Sequence, residues 1–175
     1  MGKMETKTMN KDKHLESEST PDYIRSFLKE PPLVLKNFHH EDVMEFLNCG
    51  IKKEYMKDDI VIEENDYVNS AFLIASGKVA IWKESIQLAT LSTGSFLGET
   101  FLFSKNNRMA KVVAVEECTL LQFERPEILN FFKKKPEKLF NIFTRNIIEI
   151  QQKKIGNMNS QLFNLKKRLL KEPEW

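Results

Sequence analysis

The stretch Phe96-Leu97-Gly98-Glu99-Thr100-Phe101-Leu102-Phe103 decides how the rest of the chain is read. A polar tip (Ser104, Lys105, Asn106, Asn107) follows it, and then Arg108-Met109-Ala110. A glycine and a carboxylate sit among apolar residues, so the segment turns sharply within a hydrophobic setting. Arg108 opens a new apolar run from Val112 to Val115. Gly98 lets backbone approach a ligand closely, and the amides from Glu99 to Phe101, in a short helical turn, can donate to an anion. Arg108 adds a rigid fork of donors, a geometry lysine lacks. The segment reads as a small anion-binding lobe built into β-structure. The plainer reading of Glu99 and Arg108 is an ion pair tying lobe to strand.

On both sides of the lobe the apolar period is two. Ile51 to Lys57, Ile60-Val61-Ile62, Ala71 to Ile74, Lys78 to Trp82 and Ile86 to Leu91 read as short strands before it. Val112 to Val115 and Thr119 to Phe123 read as strands after it. Asp58-Asp59, Asn65-Asp66, Ser76-Gly77 and Lys83-Glu84-Ser85 punctuate them, a spacing that predicts a closed or sandwich-like antiparallel sheet.

Helical signals flank this β region. Thr20-Pro21-Asp22 reads as a helix start with Thr20 as its cap, and Tyr23, Ile24, Phe27 and Leu28 as its apolar face. Pro31-Pro32 ends it. A second helix is predicted from about Glu41 to Asn48, closed by Gly50. Arg125-Pro126-Glu127 opens a third, ending at Lys133-Lys134-Lys135. From Pro136 to about Leu170 only Gly156 interrupts the pattern. Ile148, Ile155, Leu162 and Leu169 recur every seventh residue, with Gln151, Met158 and Leu165 at the second heptad position. That is the seam of a coiled coil, and it predicts a parallel homodimer. The other reading is a pair of shorter helices folded back at Gly156.

Composition narrows the function classes. With 41% hydrophobic and 30% charged residues, and no apolar run near the roughly 20 residues of a membrane helix, the chain is expected to be cytoplasmic, with no membrane partner. Residues 1–20 are polar, carry no apolar signal core and are expected to be a disordered tail. Cys49 and Cys118 stand apart without CxxC spacing, and the histidines do not cluster with them, so no metal or redox centre is expected. No Walker loop, GxSxG or HExxH is present, and the chain is read as not an enzyme.

Three motifs in order carry a resemblance. Ile60-Val61-Ile62-Glu63-Glu64-Asn65-Asp66 is a strand leading into a turn. Phe72-Leu73-Ile74-Ala75-Ser76-Gly77-Lys78-Val79 follows, and then Gly94-Ser95-Phe96-Leu97-Gly98-Glu99 with Arg108. With the long terminal helix, including Lys154-Ile155-Gly156-Asn157-Met158, they resemble the cyclic-nucleotide-binding domain. The likeness is greatest to the effector half of bacterial catabolite-activator-type regulators and covers roughly residues 38–170. Asn65 replaces a turn glycine and is the next best residue for a left-handed conformation.

The resemblance implies an α+β fold: an antiparallel, jelly-roll-like β-roll over residues 21–135 with flanking N-terminal helices. A long C-terminal dimerisation helix and short tail follow over 136–175. It implies cyclic AMP or cyclic GMP as ligand, with no metal. Gly98, Glu99, Thr100, Phe101, Arg108 and Met109 would form the site on the lobe, Glu99 meeting the ribose 2′-hydroxyl and Arg108 the phosphate. Gln151 and Gln152 stand where the long helix meets the purine in such regulators; a polar seam residue is as often a device that sets register. Ile148, Ile155, Met158, Leu162, Leu165 and Leu169 would form the dimer interface. The implied function is a non-enzymatic, homodimeric sensor that relays ligand binding to an unidentified downstream protein. Only Leu169 to Trp175 end the chain after that helix, too few for a helix-turn-helix domain, so direct DNA binding is not expected. Phe101 and Met109 depart from the family pattern and support the other reading, a degenerate domain that binds no nucleotide and serves as a dimeric adaptor.

Overall fold

The computed structural model describes residues 20–67, 69–103 and 107–170. Residues 1–19 of the predicted tail, residue 68, tip residues 104–106 and the residues after 170 lie outside them. In chain order come α1 (Asp22–Lys29), a 3-10 turn (Leu33–Leu35), α2 (His40–Asn48), β1 (Ile51–Tyr55), β2 (Ile60–Ile62) and β3 (Ser70–Ser76). Next are β4 (Lys78–Lys83), β5 (Ile86–Ser92), β6 (Phe96–Leu97) and a second 3-10 turn (Glu99–Leu102). β7 (Lys111–Ala114), β8 (Cys118–Glu124), α3 (Arg125–Lys133) and α4 (Glu137–Leu169) complete the chain. Two four-stranded antiparallel sheets, ordered β1-β8-β3-β6 and β2-β7-β4-β5, face one another as a β-roll.

Two cores share the β1-β8-β3-β6 sheet, and the period of two decides which residue enters which. In β3, Phe72 and Ile74 point into the roll with Ile62, Val79, Leu97, Val112 and Leu120. Ala71, Leu73 and Ala75 alternate with them and point to the helices. β8 divides likewise, Leu120 inward and Leu121 and Phe123 toward the helices. The helix-side core centres on Phe46 of α2, whose ring lies 4.9 Å from Phe123, 5.5 Å from Phe131 and 5.7 Å from Phe143.

Several boundaries move from their sequence expectation. Pro21, not Thr20, occupies the cap of α1, because proline's fixed φ suits that place and no side-chain cap is made. Pro136, where the long pattern begins, likewise caps α4, which runs from Glu137. β1 stops at Tyr55, where the Met56 amide donates to the Asp59 carboxylate at 2.7 Å in a tight turn. The helix from Glu137 runs unbroken through Gly156, since one exposed glycine costs only about 1 kcal/mol. Its first half is anchored: Leu139, Phe143, Ile147 and Ile150 are buried in the helix-side core. Asn146 donates to the carbonyls of Val34 and Lys36 at 3.1 and 2.8 Å, satisfying the turn Leu33–Leu35 that sequence reasoning missed. Among the described residues no helix is long and apolar enough to cross a membrane.

Candidate functional site

β6 is only two residues long, but its pairing with Phe72 and Leu73 of β3 delivers Gly98 to the rim of the roll. There Gly98 takes φ +70°. A Cβ at this position would land on Nη1 of Arg108 and 3.2 Å from the Ser70 carbonyl. Only glycine admits both that backbone and that guanidinium. Gly94, at φ +84°, has nothing within 4 Å of such a Cβ. Gly94→Ala is therefore expected to cost about 1 kcal/mol, the left-handed penalty alone. Gly98→Ala should cost about 2–3 kcal/mol, because overpacking adds to it. Paired denaturant melts of the two variants measure that difference.

Arg108 reaches the same place from the other side of the lobe. Its N–H donates to the Asp66 carbonyl at 2.8 Å, and its carbonyl accepts from the Asn65 amide at 2.9 Å. Asn65 sits at φ +67°, as its replacement of a turn glycine requires. The guanidinium is buried, 8% exposed. Its Nη2 donates to the Ser70 carbonyl at 2.7 Å, and its central carbon lies 6.0 Å from the centre of the Phe72 ring. Burial pulls its pKa down, opposed by the charges of Asp66 and Glu99; guanidinium nonetheless stays protonated in proteins. Among the described residues no carboxylate stands within ion-pair distance of it. The site thus holds a partly dehydrated cation beside a glycine turn, and a buried cation in that state favours an anion brought from outside.

Glu99 does not form the ion pair with Arg108 that the plainer reading supposed. It is 4% exposed, and its Oε1 accepts from Gln151 and from Lys154, the latter at 2.5 Å. The 3-10 turn explains the split: at three residues per turn neighbouring side chains diverge by about 120°. Glu99 accordingly meets α4, while Phe101 enters the helix-side core. The ring that marks Phe101 as a departure from the family pattern is thus turned away into that core, and its N–H donates to the Gly98 carbonyl at 3.1 Å. Thr100 lies in the same turn. Met109 is 84% exposed, while its carbonyl and the Glu64 carboxylate hold Lys83.

Gly98, Glu99, Arg108 and Gln151 therefore converge, whereas Gln152 is exposed on α4. Ser70 and Lys154 join the site without having been singled out. Lys154 was discoverable, three residues after Gln151 on the same helical face. The six seam residues Ile148, Ile155, Met158, Leu162, Leu165 and Leu169 are 51 to 70% exposed in the single chain. No group of three or more His, Cys, Asp or Glu side chains among the described residues is placed to hold a metal ion.

Residues 52–135 match the family described as the cyclic nucleotide-binding domain. The chain is 29% identical over 91 residues to a cGMP-dependent protein kinase of Drosophila melanogaster, covering 52% of this chain and 8% of that protein. It is 28% identical over 94 residues to the cAMP-dependent protein kinase regulatory subunit of Hypocrea atroviridis, covering 53% and 20%. The chain thus spans only a small part of the length of these relatives. Among solved structures it superposes on a cyclic nucleotide-binding domain from Methylobacillus flagellatus with a TM-score of 0.71, at 18% identity, covering 81% of this chain and 83% of that one. The Thermus thermophilus catabolite activator protein gives a TM-score of 0.64 at 22% identity, covering 77% and 63%. Residues 52–135 thus carry the match to the cyclic nucleotide-binding domain, and the roll with its flanking helices has the fold of these solved domains.

Proposed function

We propose that the chain is a non-enzymatic sensor that binds a purine 3′,5′-cyclic monophosphate, cyclic AMP first and cyclic GMP second. In this reading it works in the cytoplasm as a homodimer and relays occupancy to a partner protein. The observation that carries the reading is the buried Arg108 guanidinium with no carboxylate at ion-pair distance, set against Gly98. A cyclic phosphodiester has one permanent negative charge and two terminal oxygens, which suit a guanidinium fork and the amides of the lobe. Glu99 is an acceptor and suits the ribose 2′-hydroxyl. Relatives named for cyclic AMP and for cyclic GMP both match, which supports the ligand class.

Relay is supported by one residue with two roles. Gln151 occupies a seam position of α4 and also donates to Glu99, so a ligand that engages Glu99 acts on a carboxylate already bonded to α4. A ligand shifts that helix only by the difference in its affinity for the two arrangements. The Phe101 side chain lies in the helix-side core and Met109 is exposed to solvent.

Calorimetry with cyclic AMP and cyclic GMP tests the reading. Arg108→Ala is expected to weaken binding about 100-fold, the loss of a charge-assisted pair of hydrogen bonds worth about 3 kcal/mol. Arg108→Lys should fall between, keeping charge without the fork. Absence of heat from wild type with either nucleotide would overturn the proposal and favour the ligand-free adaptor.

A further inference from the structure

Helix α4 sends two donors to the lobe, and both choose the same atom. Lys154 Nζ lies 2.5 Å from Glu99 Oε1, and Gln151 Nε2 donates to that oxygen as well. A separation of three residues puts the two donors on one face of the helix. Neither uses Oε2. The Glu99 side chain is 5% exposed and that of Lys154 is 38% exposed. The carboxylate is therefore the buried partner, and the lysine approaches from the solvent side as its counter-ion. A carboxylate this buried needs a cation and hydrogen bonds to hold one geometry. Arg108 does not supply the cation at ion-pair distance; Lys154 does.

We propose that Lys154 is a positioning residue for ribose recognition. By occupying Oε1 it turns Oε2 into the acceptor for a ribose 2′-hydroxyl, so discrimination against a 2′-deoxyribose depends on a side chain that need not touch the ligand. The inference rests on the lobe being a cyclic-nucleotide site. It differs from a general packing role in what it predicts: loss of Lys154 lowers selectivity for the hydroxyl, not affinity for the cyclic phosphate, which Arg108 and the lobe amides hold.

The test is calorimetry on the full chain with cyclic AMP and 2′-deoxy cyclic AMP. Wild type should favour cyclic AMP by about tenfold or more, the usual worth of a hydrogen bond to a charged acceptor. Lys154→Met should bring the two ligands within about threefold by weakening cyclic AMP alone. Lys154→Gln serves as a second neutral variant if methionine alters the thermal midpoint, and Lys154→Arg, which keeps the cation, should restore most of the selectivity. An unchanged ratio in the neutral variants, or an equal loss for both ligands, overturns the role of Lys154 while leaving the nucleotide site standing. Failure of wild type to bind either ligand overturns the site itself, and the inference with it.

Discussion

Phe46→Ala will lower the unfolding free energy by about 3–5 kcal/mol, the usual cost of removing a large aromatic side chain from a core. Phe46 is fully buried, and its ring contacts five others: Phe38, Phe123, Phe131, Phe132 and Phe143. Those partners belong to the segment before α2, to β8, to α3 and to α4, so one side chain joins every helix after α1 to the sheet. The hole left by alanine cannot close without moving several of them, and the residual cavity adds to the lost transfer energy. Thermal unfolding should show the midpoint falling by about 10 °C. Phe46→Leu, which retains most of the volume, should cost no more than about 1.5 kcal/mol. Equal losses for leucine and alanine would mean that the ring stacking, not the filled volume, supports this junction.

Ile155→Lys combined with Leu162→Lys is expected to convert a homodimer into a monomer, raising the dissociation constant about 1000-fold or more. Both residues lie at the same heptad position, more than half exposed in the single chain. A lysine there costs the isolated chain nothing in packing, but in a seam it must lose its water without gaining a partner. Two substitutions repeated in two chains place four such charges in one interface. Light scattering reads the mass, and the roll's own melting midpoint should hold, because neither residue belongs to its cores. Ser160→Lys, on the exposed face of α4, is the control. A mass that stays at two chains would remove the helix seam from the proposal and leave the nucleotide site untouched.

The elements of the lobe were legible because their chemistry is local. Gly98, Glu99 and Arg108 stand at short spacing, and each carries a requirement visible in one dimension: positive φ, a carboxylate among apolar neighbours, and a fork of donors before a strand. What each side chain faces was not legible. Ser70 and Arg108 are 38 residues apart, and Lys154 and Glu99 are 55 apart. Nothing in either neighbourhood announces the other. The sequence left Glu99 paired with Arg108 as the plain alternative; the structure gives it to α4. Phe101 shows the same limit, since departure from a family pattern signals a change at that position but not the direction in which the new ring points.

Period and punctuation located the four α-helices, the stripe of Ile148, Ile155, Leu162 and Leu169, and every described strand but the two-residue β6, because alternation and heptad spacing are properties of a few consecutive residues. They could not choose between a continuous α4 and two helices broken at Gly156. Glycine's weak local penalty leaves both open; the structure keeps one helix through Gly156, anchored before it by Leu139, Phe143, Ile147 and Ile150 in the helix-side core. Packing of that helix's first half into the helix-side core then sets which α4 residues arrive at Glu99. A sequence states which faces are apolar; the partner of a buried charge is decided only when two distant faces close on each other and water leaves between them.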